Sequence, residues 1–570
     1  MTIGIECGYA PLDSKGKRIV IKVAMRTFHQ VQTTEARGLP GGSLAIYAGS
    51  EVLSNPSRIV ASLRLCQASQ LGCHCMTVFG HTVLFDCLEK REDTASPKTL
   101  KQWHRALIQK LDNALRRLLF LVCLFLLLTN SNASTVVGAE IATMAARGYD
   151  NLRTHQYLPP DFDNEVFNEL WTVWPEPEKS KAEKSDTATR RRLTFSYYGL
   201  IPDPDDVDGS LPALGYVVDR EGNWSMNCLA CHGGKVAGRT IPGLPNSHTA
   251  LQTLSEDIRA VKLNLGKALS HLDLGSIQMP LSTTDGTTNA VVFGIVLGAY
   301  RNPDMTVDLT RRLPPLLHHD VDAPPFWNVR KKSSLYIDGF APKTPRPLMQ
   351  FILLPKVSPE QLTKWEPEFA EILAWIESVE PPKYPFEINR DLASQGEQVF
   401  NRNCARCHGT YGPEGKYEQH TIPLEEIGTD TLRMKSLTPE HRMWMKRGWL
   451  SRYGEDHVEV DPVGYVPPPL DGIWASAPYF HNGSVPTLWH VLHSDSRPTV
   501  WKRTEDGYDK TQVGLEIESF EKVPKSAMVP AQRRRYFDTE LPDKSAAGHR
   551  FPDSLTEPEK QSVLEYLKTL

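Results

Sequence analysis

Two stretches with one pattern decide the fold: Cys228-Leu229-Ala230-Cys231-His232 and Cys404-Ala405-Arg406-Cys407-His408. Two cysteines three residues apart lie on one face of a helical turn, so both thiols can reach one flat ligand. The pattern is typical of covalent c-type haem attachment, in which the histidine that follows binds the iron. The sequence therefore predicts two covalently bound c-type haems. Cys228, Cys231, Cys404 and Cys407 would attach them, and His232 and His408 would ligate the irons.

The distribution of cysteines supports this interpretation. Of the ten cysteines, the four beyond residue 124 all lie in these two motifs. A zinc site, or a redox dithiol beside a bystander histidine, is the alternative for a single motif. Two motifs that use every cysteine of this part of the chain favour haem. An exported protein also gains from having no spare thiol, because a spare thiol can form a wrong disulfide.

An apolar run at residues 118–128 follows Arg116 and Arg117 and precedes small residues. A basic start, a short apolar run and a small-residue cleavage site are typical of a secretory signal. The run is too short for the roughly 20 residues that span a bilayer. We predict a signal peptide at residues 111–139, a periplasmic or secreted protein, and no stable membrane span after cleavage. An uncleaved anchor or a buried helix is the alternative.

A signal peptide should open a chain, yet 110 residues precede this one. We therefore predict that residues 1–110 are an over-extended translation start, disordered in or absent from the mature protein. A rival hypothesis makes Cys66, Cys73, His74 and Cys75 a metal cluster, but their spacing matches no common zinc pattern.

Composition narrows the class of protein further. The net charge is -4 over 570 residues, and no basic tract or stripe indicates a nucleic-acid partner. Forty-three prolines favour a protein rich in loops with short helices.

The helical patterns suggest two haem domains. Prolines at residues 381–385 follow an amphipathic segment, Pro367–Val379, and end it. Asp391–Asn401 then leads as a helix into the second motif, and Thr556–Leu570 closes the chain as another. We predict a mainly α fold of two cytochrome c-like helical domains with long irregular loops. They are an N-terminal haem domain, residues 140–385, and a C-terminal cytochrome c domain, residues 386–570.

Function depends on the sixth ligand of each iron, because an open iron can bind oxygen or peroxide. For the second iron the candidate is His549, in the loop before the last helix. Its rivals are Met528, His481, His490 and His493. For the first iron no single ligand stands out among the histidines and methionines between the motifs: His248, His271, His318, His319, Met279, Met305 and Met349. Because no clear sixth ligand is found for the first iron, we expect the first haem to be the catalytic centre.

The segment Pro467–Leu488, PPPLDGIWASAPYFHNGSVPTL, is highly specific. It resembles bacterial dihaem cytochrome c peroxidases and the related methylamine dehydrogenase maturation enzyme, and looks closest to the dihaem rubber-oxygenase-like group. Asn227–Asn246, Pro324–Trp327 and Ala547–His549 are similar to that group too. The resemblance covers roughly residues 150–570. The chain is shorter than rubber oxygenases between His481 and His549, and the methionine ligand of the peroxidases is missing.

The resemblance implies that His549 is the distal ligand of the second haem and that the first haem holds oxygen or peroxide. Trp327 resembles a tryptophan near the haems, as relay or packing residue, and Phe340 matches an apolar distal-pocket residue. His481 is a candidate catalytic residue, although a structural role through a haem propionate or the backbone is favoured.

These patterns predict a periplasmic dihaem c-type cytochrome oxidoreductase, peroxidase-like or dioxygenase-like. One haem would activate peroxide or oxygen, and the other would exchange electrons with an unknown electron donor or organic substrate. The alternatives are a non-catalytic dihaem electron-transfer cytochrome and a haem-bearing sensor or binding subunit. The sequence makes no prediction about calcium.

Overall fold

The structure is a computed structural model that describes residues 140–312 and 317–570, with the backbone of five short strands between residues 4 and 84. The chain forms two compact units, Met1–Leu126 and Leu127–Leu570. In the first unit, strands β1 (Gly4–Tyr9) and β2 (Ile19–Ala24) pair antiparallel, as do β3 (Arg64–Gln67), β4 (His74–Val78) and β5 (His81–Leu84). The predicted signal peptide at 111–139 and the side chains of the suggested cysteine cluster lie outside the described residues. The over-extended start stays a prediction.

Helices of the second unit are mostly short. They are α1 (140–154), α2 (Asn164–Glu169), α3 (Glu178–Glu183), α4 (Thr187–Tyr198), α5 (Leu229–His232), α6 (Leu251–Leu265), α7 (His271–Gln278), α8 (Ala290–Ala299), α9 (Pro345–Met349), α10 (Pro359–Ser378), α11 (Arg390–Asn403), α12 (Ala405–His408), α13 (Leu424–Ile427), α14 (Leu432–Ser436), α15 (Pro439–Arg447), α16 (Leu488–Leu492), α17 (Pro530–Arg534) and α18 (Glu557–Leu567). Short 3₁₀ helices lie at Leu170–Val173, Phe326–Lys331, Gln350–Ile352, Trp449–Gly454, Ile473–Ala475, Ser494–Ser496 and Phe551–Ser554. Among the described helices, none is long and apolar enough to cross a bilayer.

Strands of the second unit form several small antiparallel sheets. They are β6 (Phe162–Asp163), β7 (Tyr216–Val218), β8 (Asn223–Met226), β9 (Gly233–Val236), β10 (Arg239–Pro242), β11 (Ser334–Leu335), β12 (Ala341–Pro342), β13 (Ile422–Pro423), β14 (Gly464–Tyr465), β15 (Val500–Asp509), β16 (Gly514–Phe520) and β17 (Phe537–Asp538). The sheets are β6-β8-β7, β10-β9, β11-β12, β13-β14 and β16-β15-β17.

The expectation of a mainly α fold of two cytochrome c-like helical domains is wrong. The structure is 44% helical, with 12% of it in strands that belong to several small sheets. Most of these strands have two to four residues, too few for an alternating pattern to reveal them. The longest, β15, bulges between Arg503 and Tyr508, which interrupts its alternation. The boundary at residues 385 and 386 stays a prediction.

The three helices predicted around that boundary and at the chain end are confirmed as α10, α11 and α18. Asn389 caps α11 by accepting a hydrogen bond from the Leu392 N–H at 3.0 Å. Helices α11 and α18 approach closely at Gly396, where a β-carbon would lie 1.9 Å from the Ser562 carbonyl oxygen. The glycine is therefore required for this contact, which sets the helix that leads into the second motif against the last helix.

Each motif lies at a hydrophobic cluster of its own. Cys404 packs against a cluster that includes Phe400, Trp474, Trp501 and Leu564. Cys228 packs against another cluster, which includes Leu229, Phe326, Met349, Ile372 and Trp375. Trp327 belongs to the first of these clusters and its neighbour Phe326 to the second. The short Phe326–Lys331 helix therefore joins the surroundings of the two motifs.

Candidate haem sites

The first motif forms the single turn α5, with Cys228 just before it. The Asn227 side chain fixes this turn, because its Oδ1 accepts from the Leu229 N–H at 2.8 Å and its Nδ2 donates to the Leu152 carbonyl. All four motif cysteines are free thiols, as thioether formation requires. Burial raises the pKa of Cys228 and of Cys231 to about 11.

His232 is oriented by a proline carbonyl. Its Nδ1 lies 3.0 Å from the oxygen of Pro324, and its ring stacks on Phe326 with 4.2 Å between centroids. A carbonyl oxygen can only accept, so Nδ1 carries the proton and Nε2 keeps its lone pair. Hydrogen bonding of one imidazole nitrogen to a carbonyl is the usual arrangement when the other nitrogen binds a metal.

His408 is held in the same way. Helix α11 leads directly into α12, and Nδ1 of His408 lies 2.9 Å from the oxygen of Pro468. Nε2 of His408 is therefore also available as a ligand. The two motifs share cysteine spacing, helical turn and a proline carbonyl behind the histidine.

A second histidine faces His408. The ring centroids of His408 and His549 are 6.2 Å apart. Metal–imidazole bonds are about 2 Å long, as zinc sites show, so one ion between two imidazoles places their centroids about 6 Å apart. Nδ1 of His549 is buried and has no hydrogen-bond partner among the described residues. This pair fits a six-coordinate haem iron, whereas the ring contact found at His232 is with Phe326.

All three histidines are in the form that binds metal. Burial lowers the pKa of His232 to about 4 and that of His549 to about 3. Burial also lowers the pKa of His408. All three imidazoles are therefore neutral at pH 7, and neutral imidazole is the ligand form.

The loop that carries His549 is held by residues of the Pro467–Leu488 segment and just beyond it. Asn482 donates to the carbonyls of Asp543 and Ser545, each at 3.0 Å, and Ser484 donates to Ser545 at 3.1 Å. Arg497 Nη1 donates to the carbonyls of Ala546 at 2.6 Å and Gly548 at 2.8 Å. Five backbone contacts therefore fix the approach of His549.

Gly548 completes this positioning. Its φ is +79°, and a β-carbon there would lie 2.2 Å from the carbonyl carbon of Gly428. The backbone N–H of His549 donates to the Ile427 carbonyl at 2.7 Å. Only glycine allows the two backbones to meet here.

The rival ligands for the second iron are placed elsewhere. Met528 is 77% exposed. His490 bonds Thr487 through Nδ1 at 2.7 Å. His493 bonds the Trp489 carbonyl and the Glu557 carboxylate.

The candidates for the first iron are spread out. His271 lies 3.7 Å from the Asp161 carboxylate. Met305 and Met349 are buried in the cluster against which Cys228 packs. His318 Nε2 lies 2.9 Å from Asp320, and with Asp543 these groups offer three ligand atoms within 4.8 Å of one another. Lys544 already pairs with Asp320 in that group. Among the residues that the structure describes, no sixth ligand is therefore singled out at His232.

Trp327 lies in the segment that holds His232 and contacts the segment that holds His408. It is fully buried, and its Nε1 donates to the Asp471 carbonyl at 2.6 Å. Pro324, three residues before it, holds His232, and Pro468, three residues before Asp471, holds His408. One tryptophan thus joins the two segments that orient the proximal histidines.

Phe340 lies against a group of polar side chains that we call the buried charge cluster: His319, Asp338, Arg433 and Arg442, which are buried, and His481, which is half-buried. Phe340 is fully buried and stacks on Tyr336 at 5.0 Å. The guanidinium carbons of Arg433 and Arg442 lie 5.8 and 6.0 Å from the centre of the Phe340 ring. His481 lies 4.5 Å from the Tyr465 ring, and its carbonyl accepts from the Asp322 N–H at 2.8 Å. Burial, with the nearby Arg433 charge, lowers the pKa of His481 to about 3.

The residues that sequence reasoning missed act through the backbone or through distant contacts. The carbonyls of Pro324 and Pro468 orient the proximal histidines, and Arg497 and Asn482 orient the His549 loop. Both carbonyls lie in runs of consecutive prolines, two at residues 324–325 and three at residues 467–469, which was the available signal. No signal in the sequence pointed to Arg433 and Asp338, because 95 residues separate the two.

Residues 464–502 match a family model described as RoxA-like, cytochrome c-like. Two proteins of Sinorhizobium fredii (strain NBRC 101917 / NGR234) are similar to this chain. Uncharacterized protein y4iM is 32% identical over 170 residues, which cover 25% of this chain and 38% of that protein. Uncharacterized protein y4iJ is 27% identical over 258 residues, which cover 33% of this chain and 41% of that protein.

The chain thus spans less than half the length of these two relatives. The matched segment contains Pro468, Asn482, Ser484 and Arg497, the residues that hold His408 and the His549 loop. The match supports a cytochrome c related to RoxA that carries a c-type haem, and it suggests a c-type cytochrome oxidoreductase.

Proposed function

We propose that this chain is a periplasmic dihaem c-type cytochrome oxidoreductase. A haem on His232 would activate peroxide or oxygen, and a haem held by His408 and His549 would transfer electrons. The second substrate is an electron donor or an organic molecule. The observation that carries the proposal is the asymmetry between the two motifs: His408 faces a second histidine at 6.2 Å, while the ring contact at His232 is with Phe326.

The haems supply the redox chemistry when bound, and the protein tunes and orients them. Pro324 and Pro468 keep a proton on Nδ1 of each proximal histidine, so that Nε2 is presented as the ligand. The five backbone contacts around residues 543–549 hold His549 in place. A fixed second ligand keeps the geometry of that centre constant, which suits electron transfer.

Trp327 supports electron exchange between the two centres. It is an indole buried between the segment that holds His232 and the segment that holds His408. Its hydrogen bond to the Asp471 carbonyl fixes the ring, and Gly472 leaves room for it, since a β-carbon there would lie 3.1 Å from the indole.

Spectra of the purified, exported protein test the proposal. A pyridine haemochrome assay should give two c-type haems per chain. Ferric and ferrous spectra, with and without peroxide, should show one haem that responds and one that does not. Two low-spin haems that ignore peroxide and carbon monoxide in both redox states would leave a non-catalytic electron carrier and contradict the enzyme assignment.

Export is tested separately. N-terminal sequencing of the periplasmic or secreted protein should begin after the apolar run at residues 118–128. A mature protein that retains residues 1–110 would contradict the predicted signal and start.

A further inference from the structure

The buried charge cluster holds more positive charge than its own acid balances. Arg433 and Arg442 are 2% and 1% exposed, and Asp338 is 1% exposed. Asp338 is the carboxylate that both arginines contact. His319 and His481 add no negative charge. Since burying an unpaired charge is costly, a net positive charge in this place indicates an anionic partner.

The imbalance falls mainly on Arg433. Asp338 accepts from Arg442 at 2.7 Å but from Arg433 only at 3.4 Å. The other described hydrogen-bond contact of Arg433 is a long one, 3.5 Å from its Nη1 to Nε2 of His319. Arg442 also donates to the Leu437 carbonyl. A guanidinium has five donors and binds a carboxylate with two of them at once, so the two long contacts of Arg433 leave room for a further acceptor. Nε of Arg442 is a buried donor without a partner among the described residues.

Three segments that line the His408–His549 pair converge on Arg433. The first runs from Ile427, which bonds the His549 backbone, to α14, which carries Arg433. The second contains Pro468, which holds His408, and Tyr465, whose hydroxyl donates to the Asp430 carbonyl at 2.9 Å.

The third segment contains Phe480 and His481. The Phe480 ring lies 5.9 Å from His549, and the His481 ring lies 4.5 Å from Tyr465. These three segments therefore connect Arg433 with the surroundings of His408 and His549.

We propose that Arg433, with His481 beside it, binds a propionate of the haem held by His408 and His549. This inference rests on the proposed function, because it requires a haem at that pair. A haem carries two propionates, and one of them would supply the missing negative charge. Arg433 is thus a positioning residue that fixes the haem and sets its reduction potential.

The test compares variants of the full-length holoprotein by potentiometry and by the propionate-bending band in resonance Raman spectra. Arg433→Gln should lower the midpoint potential of the low-spin haem and shift the band, since a positive charge and a hydrogen-bond donor are lost. Arg433→Lys should shift the band with a smaller change of potential, because the charge stays and the two-pronged contact is lost.

Asp338→Asn gives a change of opposite sign. It removes the competing acid and should raise the midpoint potential, whereas unfolding around the haem would lower it. It also keeps both arginines, so it tests the proposal even where Arg433→Gln yields no protein. The matched control is Arg147→Gln, which removes an arginine outside both motifs that is 51% exposed at its side chain and pairs with Glu371; its potential and band should stay unchanged.

An unchanged band and potential in Arg433→Gln, in a protein that carries two haems, would overturn the proposal. A second result would also overturn it: added acetate shifts the midpoint potential of the wild-type protein but not that of Arg433→Gln, and the Raman band stays unaffected. Arg433 would then bind a free anion and not a propionate. A haemochrome value that excludes a haem at the second motif would refute the proposed function itself.

Discussion

The histidines of the two Cys-x-x-Cys-His turns are alike in their hydrogen bonds and different in their ring contacts. Nδ1 of His232 and Nδ1 of His408 each lie close to a proline carbonyl oxygen, at 3.0 and 2.9 Å. The ring of His408 faces His549, on a loop fixed by five backbone contacts, whereas the ring of His232 stacks on Phe326. The fixed loop is built by residues some 60 positions upstream of it, within or next to the segment that matches the cytochrome c family model.

This difference teaches that the attachment motif does not determine what a haem can do. The same five-residue pattern leads to one histidine that faces a second imidazole and to another whose ring stacks on a phenylalanine. The supporting residues around each motif make the distinction, and substitutions there should shift one site without changing the other.

Removal of His549 should have the largest effect. In His549→Ala the iron at His408 loses its second imidazole, so we expect that haem to become high-spin and to bind carbon monoxide. His493→Ala is the control, because His493 is bonded to Trp489 and Glu557, away from His408. Optical titration with carbon monoxide measures the change. If His549→Ala keeps the wild-type spectrum, the assigned ligand is wrong.

Gly548→Ala should weaken the same site through the backbone. The alanine would have to adopt a φ of +79° and would overlap Gly428, so we expect a loss of about 2–4 kcal/mol in unfolding free energy. Gly412→Ala is matched to it, with a φ of +95° and open space around the new methyl, and should cost only about 1–2 kcal/mol. Urea unfolding of both variants checks this. Equal losses would mean that the Gly428 contact is unimportant.

Arg497→Met tests the anchoring of the loop. The carbonyls of Ala546 and Gly548 lose their charged donor, and leaving buried acceptors unpaired costs about 1–3 kcal/mol. We expect this loss together with displacement of His549 by carbon monoxide, which the wild-type protein should not show, in stopped-flow experiments. Arg550→Met, at a 62% exposed side chain in the same loop, should change neither quantity. Identical behaviour of the two variants would argue against the anchor.

The smallest effect concerns the link between the sites. Trp327→Phe loses the hydrogen bond to the Asp471 carbonyl, worth about 1 kcal/mol, and should slow electron exchange between the haems. Trp501→Phe is a matched control, since Trp501 is also buried and donates to a backbone carbonyl, that of Ser484 at 3.1 Å. Flash photolysis of the half-reduced protein measures the exchange rate. Equal rates in both variants would leave Trp327 with a packing role only.

The predictable parts of this molecule are local in sequence. The two motifs, helices α10, α11 and α18, and the candidacy of His549 before the last helix followed from spacing and periodicity within a few residues. The small sheets did not, because strands such as β11 and β12 have two residues each and exist through tertiary pairing. Likewise, nothing local relates Arg497 to Gly548 or Arg433 to Asp338, since those contacts depend on how distant loops meet.

The stoichiometry of carbon monoxide binding tests the central claim most directly. The ferrous wild-type protein should bind one carbon monoxide per two haems, because His549 closes one iron and the other is open. Binding at both haems, or at neither, would contradict the asymmetry between the two sites.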